Sequence, residues 1–153
     1  MKQTKRIANN LRACFFGKNW TGVALKTLLK DSSFEMVTRR IEKAHTIYEL
    51  CFHIIYYLKG ASQVLDGHPL RIKDKYSFDT PDLQGDLAWE EFQEEIWDIV
   101  DNLAGKIEKL EDTVLENEFE NEIYGDYGRN LWGLVEHSYY HIGQISLIKK
   151  RLG

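Results

Sequence analysis

Two prolines in 153 residues leave most of this chain free to be helical. Both, Pro69 and Pro81, fall in one polar stretch, and no alternating β-branched run is sustained elsewhere. Cysteine is as scarce. Cys14 and Cys51 are too few for a disulfide framework, and both sit among apolar neighbours, so buried free thiols in a reducing cytosol are expected. No window is apolar enough to span a bilayer, and no signal-peptide core opens the sequence, so a cytoplasmic location without a membrane partner is expected. A long basic run is missing, as is any interleaving of basic and aromatic residues. With a net charge of −4, this argues against a nucleic-acid-binding surface. There is no phosphate-binding glycine loop, dinucleotide fingerprint or serine-histidine-aspartate arrangement either.

What is present is apolar and aromatic. The chain is 43% hydrophobic, with four Trp, eight Tyr and seven Phe, enough for one globular domain over residues 1–153. A first helix is expected from Gln3 to Phe16, interrupted by Gly17-Lys18-Asn19-Trp20-Thr21-Gly22 and resumed through Val23-Ala24-Leu25 to Lys30. Ser32-x-x-Glu35 reads as a capping box for a short helix ending near Arg40. Thr46-x-x-Glu49 reads as another, opening a long second helix whose buried face carries Ile47, Leu50, Ile54, Tyr57, Leu58, Ala61 and Leu65. His53 falls inside that stripe, and Asp66-Gly67-His68-Pro69 ends the helix.

Residues 67–85 form a polar connection that is long for a helix bundle. Extended, its nineteen residues could span about 60 Å, enough to carry the chain back and make the second and third helices parallel neighbours. The third helix is expected from Asp86 to Asp112, with Phe92, Ile96, Ile99, Leu103, Ile107 and Leu110 inward and Glu90, Glu91, Glu94 and Glu95 on a solvated face. After an acidic connection, a fourth helix runs from Tyr127 to Leu152, and its closing Lys149-Lys150-Arg151 suits the negative end of a helix dipole. Four long helices make an all-α four-helix bundle.

The fourth helix carries the chemistry. His137 and His141 stand four residues apart, about 40° around the axis, so both imidazoles leave one face. That face is the apolar one, shared with Leu134, Ile145 and Ile148. A histidine on an apolar stripe is more often a satisfied core residue than a ligand, and what shifts the balance is His53 on the second helix. A bundle brings the two stripes together, and three imidazoles on one divalent ion leave a position open for water or substrate. The di-iron carboxylate arrangement needs glutamate three residues before each histidine, but Leu134 and Leu50 stand there, so one metal is favoured over two. Zinc or nickel suits such a site best, with manganese or iron as further candidates. Around the ligands, Glu49 and Gln144 are candidate supporting residues. Glu49, four before His53, could orient it, although its capping role already explains it; Gln144 could hold a bound water or a partner helix. His45 and His68 read as solvated, and Cys51 lies out of phase with His53.

Thr46-Ile-Tyr-Glu-Leu-Cys-Phe-His53 followed by Leu58-Lys59-Gly60, then Glu136-His137-x-x-Tyr140-His141-x-Gly143-Gln144-Ile145, resembles the DinB-like superfamily. Phe16-Gly17-x-x-Trp20-x-Gly22 looks like that family's first-helix segment, so the likeness spans nearly the whole chain. The resemblance implies a four-helix bundle of up-down-down-up course and a metal triad on His53, His137 and His141. It also implies a homodimer, whose interface some of the large aromatics Trp20, Trp89 and Trp97 are expected to cover. Some relatives are thiol-dependent transferases or isomerases. One departure is Tyr56-Tyr57, where many members carry a tryptophan soon after the first histidine. Two functions are therefore expected to compete. In one, the metal enzyme presents a low-molecular-weight thiol to a small electrophilic substrate; in the other, a metal-binding or stress-response protein uses the ion only to pin helices together.

Overall fold

Several helix starts in this chain, those at Gln3, Phe34, Ile47 and Tyr127, are set by side chains that satisfy free backbone N–H groups. In the computed structural model, which describes residues 1–153, Thr46 Oγ1 accepts from Glu49 N while Glu49 Oε2 accepts from Thr46 N, the reciprocal pair expected there. That pair opens α4 (Ile47–Leu65). Before it come α1 (Gln3–Phe16), α2 (Leu25–Leu29) and α3 (Phe34–Thr38); after it, α5 (Gly85–Lys109) and α6 (Tyr127–Leu152). The molecule is all-helical, with short 3₁₀ turns in the connections and no strand. No helix is long and apolar enough to cross a membrane.

The resumed segment begins at Leu25 rather than Val23 and α3 ends at Thr38 rather than near Arg40, and two further ends differ from the sequence reading for a local reason. The cap of α3 is Ser33, whose hydroxyl accepts from Met36 N, rather than Ser32. Ser32 turns backward instead: its hydroxyl donates to Leu29 O, which also accepts from Ser32 N, and accepts from Trp89 Nε1. Helix α5 stops at Lys109, short of Asp112. Asp112 leaves the helix to accept from Gln3 N and Thr4 N at 2.9 and 3.0 Å, capping α1 from across the chain where Lys2 offers no side-chain cap. Those two N–H groups hold its carboxyl below the ordinary aspartate value. At the other end of α1, Gly17 closes the helix with φ of 110°, a conformation that favours glycine.

One apolar core joins the long helices. Ile7, Leu11 and Phe15 of α1 meet Ile54 and Leu58 of α4, Ile96 and Leu103 of α5, and Leu131 and Ile145 of α6. Each is buried, contributing about 1.5–3 kcal/mol of transfer free energy against chain entropy. Helix α1 packs on α5 and α6, and α4 packs on the same two. Tyr48 touches Trp89 and Phe92, Lys59 pairs with Glu95, and Lys106 reaches Ser62 and Asp66, so residue numbers rise together along α4 and α5. Between α4 and α6 the order reverses, with His53 against His141 and Ala61 in a small cluster beside Leu134. Trp89 and Trp97 lie in the core, so of the three candidate tryptophans for a dimer surface only Trp20 is exposed.

Candidate metal centre

The centre is built where α4 and α6 face each other. The capping box fixes the start of α4, and His53 follows Glu49 by one turn on the face that Leu50 and Ile54 bury. On α6, His137 and His141 point from the stripe that Leu134, Ile145 and Ile148 press against the core. His53 and His141 are buried and His137 is half-buried. Their ring nitrogens converge. His137 Nε2 lies 3.1 Å from His53 Nε2 and 3.0 Å from His141 Nε2, and one nitrogen from each ring falls within 4.8 Å of the other two.

The far sides of two rings decide what faces inward. His53 Nδ1 is 3.3 Å from Ser77 O, a carbonyl that can only accept, so Nδ1 carries the proton and Nε2 presents a lone pair. His141 Nδ1 donates in the same way to Gln144 Oε1 at 2.7 Å. Neutral His137 can supply at most one proton to this triangle, so at least one close nitrogen pair has no hydrogen between its members. A cation among the three lone pairs resolves that conflict, and nitrogens held about 2.0–2.1 Å from one ion would be spaced much as these are. The residues present therefore fit a divalent metal.

Electrostatics agree with geometry. Burial, and next the nearby His141, push His53 down to about 4, and burial with the neighbouring imidazoles does the same to His137. His141 is also lowered, chiefly by burial, with Gln144 opposing. The rings are neutral near pH 7, the state a metal requires.

Aromatic side chains wall the site. Phe78 is held between two histidines, its centroid 3.8 Å from His45 and 4.0 Å from His53, with rings within 7° of parallel. Tyr57 sets its edge against His53 and His137 and donates its hydroxyl to Asp74 at 3.0 Å. Tyr140 stands edge-on to His141 from the exposed side.

The structure brings His53, His137, His141 and Gln144 together and leaves Glu49 apart. Both oxygens of Glu49 are engaged by the Thr46 cap, Arg40 and His45, and none of its hydrogen bonds goes to His53. His45 and His68, read as solvated, are both exposed, and His45 also stacks on Phe78. Cys14 and Cys51 are free, buried thiols outside the ligand group, Cys14 pushed up to about 12 by burial and Cys51 likewise raised. Ser77 and Phe78 were not legible as parts of the site, because they lie in an aperiodic connection. Tyr57 carried one signal, its position a turn after His53. Fold and cluster together define an all-helical protein with a three-imidazole group able to hold a metal ion. No family model, curated protein or solved structure matches the chain.

Proposed function

We propose that this chain is a divalent-metal enzyme of the DinB-like type, built as an up-down-down-up four-helix bundle, that joins a low-molecular-weight thiol to a small electrophile. The observation that carries the reading is the convergence of His53, His137 and His141 on one point with no fourth Cys, Asp or Glu in the group. Three protein ligands leave coordination free for an exchangeable partner. The bound ion, zinc or nickel by ligand type and manganese or iron by further choice, supplies a Lewis acid that favours the thiolate of a thiol. The chain's own part is positional: Ser77 O and Gln144 Oε1 hold the protons of His53 and His141 away from the centre. Phe78 and Tyr57 exclude water from its flanks. A cytoplasmic homodimer, with Trp20 in its surface, belongs to the same proposal.

A structural role for the ion is the second reading, favoured by the near-complete burial of His53 and His141 at the α4–α6 seam. Metal analysis of the purified protein, a screen of thiols against electrophiles, and melts of metal-free and metal-loaded protein separate the two. Turnover that requires metal, with a modest change in melting temperature, is expected. Collapse of the fold on chelation, with no thiol transfer by the loaded form, would overturn the enzyme reading.

A further inference from the structure

Beyond Tyr57 the seam between α4 and α6 opens into a cavity of about 450 Å³. Tyr57 and Ala61 line it from α4, Leu134 from α6, and Ile72, Phe119 and Tyr124 from the two connections. Ala61, Val64 and Phe119 form a cluster separate from the main core, so the packing is divided at this end. The wall over the cavity is pinned. Tyr56 Oη donates to Lys73 O and accepts from Lys73 N, both at 2.9 Å, and Ile72 lies so close to Gly60 that a Cβ there would meet Ile72 Cδ1 at 2.6 Å. The space is therefore formed before any ligand arrives.

Its chemistry is uneven. Most of the lining is apolar or aromatic, while the Asp74 carboxylate, which accepts from Tyr57, and Lys73, which has no ion-pair partner, stand together in the wall. Small-molecule sites have this volume and this mixture of apolar walls with few polar groups. Both residues are exposed at the rim of the cavity, where a hydroxyl-like head can donate to Asp74 and accept from Lys73 at once, contacts that a fully apolar ligand cannot make. We propose that the cavity binds a small molecule with a ring-sized apolar body and one neutral hydrogen-bonding head, the head seated at Lys73 and Asp74. Tyr57 is shared by the cavity and the histidine group, so an occupant is separated from His53 and His137 by one side chain. That such an occupant is the electrophile of the metal reaction rests on the reading above; that the cavity binds it does not.

The test uses 1-naphthol titrated into the metal-free full chain, followed by calorimetry and by amide chemical shifts. One saturable site is expected, with shifts centred on Ala61, Phe119 and Leu134. Leu134→Trp, which fills the space, should weaken binding by about tenfold or more. If that variant fails to fold, Tyr124→Ala at the half-exposed wall decides, with a loss of about threefold or more expected. No saturable binding, shifts confined to another surface, or unchanged affinity in a folded variant would overturn the proposal. Metal binding is titrated separately. A chain that loads metal but ignores naphthol loses only the cavity, and one that binds naphthol but no metal loses only the metal reading.

Discussion

Gln144 Oε1 lies 2.7 Å from His141 Nδ1, while Nε2 of the same ring lies 3.0 Å from His137 Nε2. One glutamine therefore decides which nitrogen of His141 is free to bind. Gln144→Ala removes the acceptor that fixes this tautomer and should weaken metal affinity by about 10–100-fold, as loss of such a partner does at metal-bound histidines. Competition against a chromophoric chelator measures it, and circular dichroism checks that α6 survives. Unchanged affinity in a folded variant would remove Gln144 from the centre.

His141→Ala should abolish tight metal binding and activity yet leave the helices folded, because the core of α1, α4, α5 and α6 does not depend on that ring. The informative quantity is the rise in melting temperature on adding metal. It should vanish in the variant while the metal-free melt moves only moderately.

Acid should destabilise the metal-free protein in a defined window. His53 and His137 titrate at about 4 when folded, against 6.5 as the ordinary value. Between those two values the unfolded chain binds more protons, so stability falls as pH drops through the window; above it these groups contribute no slope, and below about 4 their effect is complete. Urea melts across this range should show the loss, and His137→Ala should show a shallower one. A wild-type protein that gains stability on acidification from about 6.5, or a variant as steep as wild type, would contradict the assignment.

Thr46→Ala should cost about 1 kcal/mol of stability, since Glu49 N loses its acceptor at the buried start of α4. Denaturant melts give the value. Because Glu49 does not touch His53, metal affinity should move far less than it does in Gln144→Ala.

The helices and the inward placement of the three histidines were legible because both rest on local periodicity. The 3.6-residue stripe placed His53, His137 and His141 inward, and the Thr46-x-x-Glu49 spacing marked the start of α4 where the structure has it. What escaped was long-range. Asp112 looked like helix, but it serves the N-terminus of α1, more than a hundred residues away in sequence. The Ser32-x-x-Glu35 spacing favoured Ser32 as the cap, but the Leu29 carbonyl and the Trp89 indole engage its hydroxyl and leave the cap to Ser33. His45 is exposed as read, but nothing in the sequence pairs its ring with Phe78. Glu49, in phase with His53, keeps the capping role that the Thr46-x-x-Glu49 spacing favoured for it; only its contacts with Arg40 and His45 were not legible.

Phe78 between His45 and His53 makes the segment after α4 a part of the centre rather than a tether. Its length is consequently not free to drift, since one residue added beside Ser77 would misplace both the carbonyl and the ring that His53 uses. Anyone splicing a reporter into this chain should leave that stretch intact. The turn at Trp20, whose indole is fully exposed, is the site where a graft disturbs neither the imidazoles nor the cavity beside them.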